Sequence, residues 1–187
     1  MTDTPGLQTS TIRSGSQFAG PAIAVTAGVG AGPTKLSAFD AALREAGVAD
    51  FNLITLSSVV PIGSVVTSVP EDLPVPEGAW GDRLYVVMAD CRTDTLHEEV
   101  WAGIGWIQEA DTGRGLLVEH VGHNESQLHA DIESSLDSLA EGRPAINFGP
   151  QRSMVRGGTC VGSPLCALVV AVVESAPWRA ATVIVLP

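Results

Sequence analysis

The chain has 187 residues, and its 21 acidic and 10 basic side chains give a formal net charge of −11 at pH 7. Such an excess of negative charge disfavours nucleic acid and anionic membranes as partners. Hydrophobic residues make up 45% of the chain and charged residues only 17%, which excludes a broadly disordered protein. The length suits one domain with a substantial core.

The first twenty residues differ in composition from the rest. Residues 1–20 are rich in Thr, Ser and Gly and show no apolar periodicity, which predicts a flexible tail before a single domain over 21–187. This segment lacks the apolar stretch of a signal peptide. The longest apolar run, 165–173, has about half the length of a membrane helix. The sequence therefore predicts a cytoplasmic protein that does not enter a membrane.

The first predicted elements are a strand and a helix. Residues 22–28 favour a strand that enters a glycine-rich turn over 28–33, and Thr34 is a good helix N-cap. Gly47 is expected to end the helix. The glycine spacing does not match a phosphate-binding loop, so a tight turn is the preferred interpretation. The predicted apolar face of the helix consists of Leu36, Phe39, Leu43 and Ala46.

Residues 51–60 favour a buried strand, which Ser57 and Ser58 interrupt and Pro61 ends. Residues 64–81 contain several prolines and glycines, which predicts a surface excursion.

Three further strands are predicted at 84–89, 100–107 and 115–121. Asn124 is the expected N-cap of a second helix that ends at Gly142, with Gln127 as its capping-box partner. Strands are expected again at 165–173 and 182–186, after a loop whose basic part is 152–156. The apolar face of the second helix is expected to be Leu128, Ile132, Leu136 and Leu139. Two helices among six or seven strands predict an α/β or α+β sandwich.

The cysteines and histidines give no metal-binding pattern. Cys91, Cys160 and Cys166 are an odd number without ligand spacing, so reduced and mostly buried thiols are the better interpretation. His120 and His123 lie three residues apart at a predicted strand end, where their side chains diverge. We expect no metal site.

The serine pair within an apolar segment has two interpretations. In isolation, Ser57 and Ser58 would most simply be two hydroxyls bonded to nearby backbone. Alternatively, the Ser58 hydroxyl attacks the preceding carbonyl and moves the acyl group from nitrogen to oxygen. Elimination of that ester leaves dehydroalanine, which hydrolyses to a pyruvoyl group, an electrophile for amines. The reaction requires a constrained peptide and polar groups around the oxyanion.

The neighbouring residues favour the second interpretation. The sequence GPTKLSAFDAALREAG at 32–47, followed by NLITLSSVVP at 52–61, closely resembles the pyruvoyl-dependent arginine decarboxylase family in order and spacing. The strand GLLVE at 115–119 resembles the family strand that carries a catalytic glutamate. The apolar final strand near Cys166 is a weaker match.

The resemblance implies a layered αββα fold with mixed and antiparallel sheets. It also implies that the chain cleaves itself between Ser57 and Ser58 into fragments 1–57 and 58–187, with the covalent pyruvoyl cofactor derived from Ser58. Family members assemble as trimers with sites between subunits, so a homotrimer or a dimer of trimers is expected.

The resemblance also implies roles around the substrate, an amino acid that binds as a small molecule. Asn52 matches the asparagine beside the pyruvoyl group, and Glu119 matches the glutamate that protonates the carbanion after CO₂ leaves. Asp40 matches the residue that pairs with a substrate guanidinium, and Leu36 is expected to contact the substrate. Ser37 departs from the asparagine usual in the family.

The function predicted from these residues is the decarboxylation of L-arginine to agmatine. Two alternatives stay open: the same chemistry on another amino acid, and an uncleaved paralogue that serves as a binding or regulatory scaffold.

Overall fold

The computed structural model describes residues 20–68 and 76–178. These residues form two helices and nine strands. In chain order the elements are β1 (Ala22–Ala31), α1 (Lys35–Glu45), β2 (Asn52–Thr55), β3 (Val59–Val60), β4 (Val65–Ser68), β5 (Arg83–Thr93), β6 (Glu99–Gln108), β7 (Gly115–Gly122), α2 (Glu125–Glu141), β8 (Arg152–Thr159) and β9 (Leu165–Ala176).

The strands form two stacked sheets. The five-stranded sheet has the order β2-β5-β9-β1-β4, and the four-stranded sheet has the order β3-β7-β6-β8. The first sheet is mixed, since β1 pairs with β4 and β2 with β5 in parallel, whereas the described pairs of the second sheet are antiparallel. Helix α1 packs on the first sheet and α2 on the second. The predicted αββα sandwich is confirmed.

Strand β9 is covered on both faces, which explains its continuous apolar sequence. Residues 165–172 are all buried, because α1 covers one face of the strand and the second sheet covers the other. Cys166 and Leu168 belong to the layer under α1, whereas Ala167 and Val169 face the other sheet. Burial raises the pKa of the Cys166 thiol to about 11, so the thiol stays neutral at physiological pH.

The prediction that residues 28–33 form a turn is wrong for its first half. Gly28 and Gly30 lie within β1, which continues to Ala31. A Cβ atom on Gly30 would lie 2.2 Å from the backbone nitrogen of Ala42 in α1, and one on Gly28 would lie 2.2 Å from the Ala42 oxygen. The two glycines therefore allow the helix to lie directly on the strand.

This close approach makes Gly30→Ala a strongly destabilising substitution. Because the new methyl group meets helix backbone, which cannot rotate away, we expect a loss at the upper end of the roughly 1–3 kcal/mol typical of overpacking. Urea denaturation would measure the change in the free energy of unfolding. Gly122→Ala is the matched control, since its added Cβ meets no described atom within 4 Å. Equal stability of the two variants would contradict the expected packing.

The predicted ends of α1 are confirmed, but its predicted apolar face is partly wrong. Thr34 caps the helix, and Gly47 follows its end with a φ of 76°. Leu36 is 71% exposed, whereas Ala38 and Ala42 are fully buried. Small residues face the sheet because the helix axis lies so near the β1 backbone. This displaces the larger Leu36 towards solvent.

Helix α2 largely matches its prediction. Asn124 caps it by accepting a hydrogen bond from the Gln127 backbone N–H, and Gly142 is its C-cap. Leu128, Ile132 and Leu136 are buried, and Leu139 is partly buried. The Gln127 side chain donates to Asp131 instead of closing the capping box.

Several strand predictions need correction. Residues 51–60 are not one buried strand: β2 is a partly exposed edge of the first sheet, and β3 belongs to the second. The predicted excursion 64–81 begins with β4, which pairs with β1, and the predicted basic loop 152–156 is part of β8. The predicted strand 182–186 lies outside the described residues.

The predicted tail also lies outside the described residues, except for Gly20. Within the described part, neither helix has the length and apolar character needed to cross a membrane. The three cysteines are free thiols, of which Cys160 and Cys166 are buried and Cys91 is partly buried, in agreement with the prediction.

Candidate active site

The Ser57–Ser58 peptide lies where the chain crosses from one sheet to the other. Before it, the Leu56 N–H donates to the Val86 oxygen of β5, in the first sheet, at 2.8 Å. After it, the Ser58 oxygen accepts a hydrogen bond of 2.9 Å from the Leu117 N–H of β7, in the second sheet. Both flanks of this bond are therefore fixed to different layers of the sandwich.

The Ser58 hydroxyl contacts a carboxylate. Its Oγ donates to Glu119 Oε2 at 2.6 Å, a short charge-assisted hydrogen bond. A hydroxyl held against an acceptor of its proton is the arrangement of an activated nucleophile. The resemblance implied a role for Glu119 only after CO₂ leaves, whereas the structure also places this residue on the hydroxyl before cleavage.

The backbone makes a tight turn at Ser58. The Val59 N–H donates to the Ser57 carbonyl oxygen at 2.8 Å, which closes a three-residue γ-turn with Ser58 in the middle. Val60, the next residue of β3, is fully buried between the sheets and holds the turn in place.

A shallow groove of about 390 Å³ opens beside these groups. Part of its wall comes from α2. The Ser135 hydroxyl of this helix lies 2.8 Å from Nε2 of His120, which belongs to β7. The lining residues are Ser58, Leu117, Val118, Glu119, His120, Ser135, Ser138 and Leu139. Because Ser58 itself borders this space, a three-carbon pyruvoyl group at this position fits the groove.

The part of the groove that α2 supplies was not predicted from the sequence. Ser135 and Ser138 are three residues apart and therefore share one face of the helix. Serines at such positions of an amphipathic helix look like ordinary surface residues. Only the packing of α2 beside β7 shows that they border the groove.

Asn52 does not meet Ser58 within one chain. It begins β2, at the far end of that strand from Ser57, and its Nδ2 donates to the Gly81 oxygen at 2.5 Å. This contact joins β2 to the loop before β5.

Asp40 and Leu36 are also separate from the groove. Both lie on α1, which covers the first sheet, whereas the groove lies beside α2 on the second. Asp40 Oδ2 forms an exposed ion pair with Arg44 Nε at 3.1 Å. A single chain thus brings Ser57, Ser58 and Glu119 together, but not Asn52, Leu36 or Asp40.

The histidines have other contacts. His123 Nδ1 lies 2.7 Å from the Glu99 backbone oxygen, and His120 contacts Ser135. Within residues 20–68 and 76–178, no three His, Cys, Asp or Glu side chains lie close enough together to hold a metal ion.

Comparison with known proteins identifies sequences similar to this chain. The sequence model of the pyruvoyl-dependent arginine decarboxylase family matches residues 22–172. A pyruvoyl-dependent arginine decarboxylase of Thermoplasma volcanium is 33% identical over 141 residues, which cover 75% of each chain. The protein of the same name from Methanococcoides burtonii is 36% identical over 58% of this chain and 59% of its own length. One from Methanothermobacter thermautotrophicus is 49% identical over 26% of this chain and 32% of its own length.

This chain belongs to the pyruvoyl-dependent arginine decarboxylase family, as its match over most of the described residues shows. The resemblance seen in the sequence is confirmed.

Proposed function

We propose that this protein cleaves itself between Ser57 and Ser58 and then decarboxylates L-arginine to agmatine and CO₂. The observation that carries the proposal is the 2.6 Å hydrogen bond from Ser58 Oγ to Glu119 Oε2. Family membership supports the pyruvoyl group and the substrate, because the relatives are named for both.

The cleavage begins with an acyl shift. As Glu119 accepts the hydroxyl proton, Ser58 Oγ bonds to the Ser57 carbonyl carbon, and the bond from that carbon to the Ser58 nitrogen breaks. The proton passes to that nitrogen, which leaves an ester and a free amine.

The ester then breaks by elimination. Loss of the Ser58 Cα proton and rupture of the Cβ–Oγ bond release Ser57 as a carboxylate and leave dehydroalanine at position 58. Addition of water and loss of ammonia complete the pyruvoyl group. The products are chains 1–57 and 58–187.

In the mature enzyme the pyruvoyl group at position 58 would supply an electrophilic carbonyl, which can bind the substrate amine covalently and delocalise the electron pair left when CO₂ departs. Glu119 is suited to deliver a proton to the substrate carbon, because its carboxyl group lies beside position 58 in the same groove. The groove around it limits where the substrate can lie.

We propose that the complete site forms between copies of the chain, in a homotrimer or a dimer of trimers. The separation of Asp40 and Leu36 from Ser58 supports this arrangement, since the resemblance assigns all three to one site. Leu36, Val59 and Ile62 are 71%, 62% and 71% exposed, and such apolar side chains favour burial against another subunit.

Intact mass spectrometry of the purified protein tests the cleavage. We expect two chains whose masses correspond to 1–57 and 58–187, the larger one blocked at its N-terminus by a carbonyl group. A full-length mass that persists in the assembled protein would instead favour the uncleaved scaffold.

Asp40→Asn tests the substrate. A charge-assisted hydrogen bond contributes about 1.5–3 kcal/mol, so we expect the KM for arginine to rise about tenfold or more with little change in kcat. Steady-state CO₂ release would measure both. Glu45→Gln is the control, since Glu45 also lies on α1 and also pairs with an arginine, Arg156.

Co-expression extends this test to the position of the site. An Asp40→Asn chain mixed with an uncleavable Ser58→Ala chain forms some sites with native Asp40 and native Ser58 if the two residues act across subunits. Arginine affinity should then recover in part. Failure to recover in verified mixed trimers would place both residues in one chain.

The family departure at Ser37 has a local explanation. Its hydroxyl accepts a hydrogen bond from the Thr34 N–H at 2.9 Å and closes the capping box of α1. The residue thus stabilises the helix start, and a screen of CO₂ release across amino acids would determine whether it also affects substrate choice. We further propose a cytoplasmic location, which the three free thiols support.

A further inference from the structure

The self-cleavage proposed above leaves one charge without an assigned partner. When Ser58 Oγ bonds to the Ser57 carbonyl carbon, the carbonyl oxygen becomes an oxyanion. Glu119 is not the donor for this oxygen, since its carboxyl group is engaged with Ser58 Oγ, the atom that attacks. A donor must therefore lie on the other side of the scissile carbonyl.

We propose that the backbone N–H of Val59 is this donor. Its nitrogen already lies 2.8 Å from the Ser57 carbonyl oxygen in the resting peptide, so it needs only a small adjustment to follow that oxygen as the carbon becomes tetrahedral. The hydrogen bond strengthens as the oxygen gains negative charge, so the Val59 N–H stabilises the transition state more than the resting peptide. This inference rests on the proposed function, and it adds the group that polarises the carbonyl.

The fold holds this donor in position. Val60 is fully buried between the sheets, and the Ser58 oxygen is bonded to the Leu117 N–H, so the residues on either side of the Val59 amide are fixed. The γ-turn directs the Val59 N–H back to the Ser57 carbonyl, and Ser58 keeps a negative φ in this turn. Little reorganisation is needed when the oxyanion forms, which is the condition for effective electrostatic stabilisation.

The turn also separates the two polar groups that the acyl shift needs. Glu119 contacts the Ser58 side chain, and the Val59 N–H contacts the Ser57 oxygen. The proton acceptor thus acts on Ser58 Oγ and the oxyanion donor acts on the Ser57 carbonyl group. These are the two ends of the bond that forms, so neither polar group has to serve both.

Replacing the amide by an ester tests the proposal without changing a side chain. The α-hydroxy analogue of valine, incorporated at position 59, removes the N–H and keeps the isopropyl group. Removal of one oxyanion donor costs about 100- to 1,000-fold in rate, and we expect a slowing of this size in the first-order rate of cleavage. Intact mass spectrometry would follow the loss of the full-length chain and separate cleavage at 57/58 from hydrolysis of the new ester at 58/59.

The matched control is the α-hydroxy analogue of leucine at position 117. It removes the N–H that holds the Ser58 oxygen but leaves the Val59 N–H in place. We expect this ester to slow cleavage much less than the ester at 59. Equal slowing by both esters would mean that the ester at 59 slows cleavage only by weakening the pairing of β3 with β7. That result would overturn the proposal. Cleavage of the position 59 ester at a rate near that of the unmodified chain would also overturn it.

Hydrogen exchange gives a second measurement that does not depend on the ester variants. In the uncleavable Ser58→Ala chain, we expect the Val59 amide to exchange slowly, because it is hydrogen-bonded in the turn. Exchange as fast as in an unfolded peptide would overturn the assignment. An unmodified chain that fails to cleave would have a different meaning, since it would reject the proposed self-cleavage itself.

Discussion

Ser58→Ala yields a single uncleaved chain of full length with arginine decarboxylation at background level. Without the hydroxyl no ester forms at the Ser57 carbonyl, and without the ester no pyruvoyl group is made. Intact mass spectrometry and CO₂ release measure the two effects. The variant should remain folded, because even a charge-assisted hydrogen bond such as that between Ser58 and Glu119 contributes only about 1.5–3 kcal/mol, which is less than the roughly 5–15 kcal/mol of a typical domain.

Ser134→Ala is the control for loss of a hydroxyl, since Ser134 is exposed on α2. This variant should cleave and turn over as the unmodified protein does. If Ser58→Ala still produced fragments 1–57 and 58–187, the nucleophile would have to be another group.

Glu119→Gln should slow both stages of the proposed reaction. Glutamine keeps the shape of the side chain and can still accept the Ser58 hydrogen bond, but it cannot take up the proton. Loss of a general acid–base group typically costs about 10²- to 10⁴-fold, and we expect a reduction in this range for the rate of self-cleavage. After prolonged incubation, the cleaved fraction should also decarboxylate arginine slowly.

The two stages can be measured separately, the first by intact mass and the second by CO₂ release per mole of pyruvoyl group. Glu133→Gln is the matched control, because it removes the same charge from an exposed position on α2. Normal cleavage of Glu119→Gln would show that the 2.6 Å contact only positions the hydroxyl. Normal turnover would remove Glu119 from the decarboxylation.

The sequence predicted those elements whose local pattern matches their burial. Helix α2 carries an apolar stripe at helical spacing and a clear N-cap, and the apolar run of β9 marks a strand covered on both faces. Strand β8 was missed because its sequence contains polar residues and glycines. It lies at the edge of a sheet, where the side chains are only partly buried and need not be apolar. The exposure of Leu36 was missed for a different reason: helical periodicity does not show that two glycines of β1 draw α1 close to the sheet.

Some residues of the candidate site could likewise be predicted from the sequence, and others could not. The resemblance pointed to Ser58 and Glu119, and the structure brings them into contact. The contributions of His120 and Ser135 depend on how α2 packs beside β7, which no short sequence pattern encodes. The roles of Asn52 and Asp40 remain predictions, since neither side chain lies at the groove beside Ser58 in the described chain.

The position of β1 between β9 and β4 has a consequence for the mature protein. Fragment 1–57 supplies β1, α1 and β2, whereas β4, β5 and β9 belong to fragment 58–187, so the cut leaves one sheet shared by two molecules. Before the cut, β1 and β9 find each other as parts of one polymer, at a high effective concentration. Afterwards their association is bimolecular, and recovery from denaturation depends on protein concentration. The precursor should therefore refold readily, whereas the processed enzyme persists mainly because its fragments separate slowly.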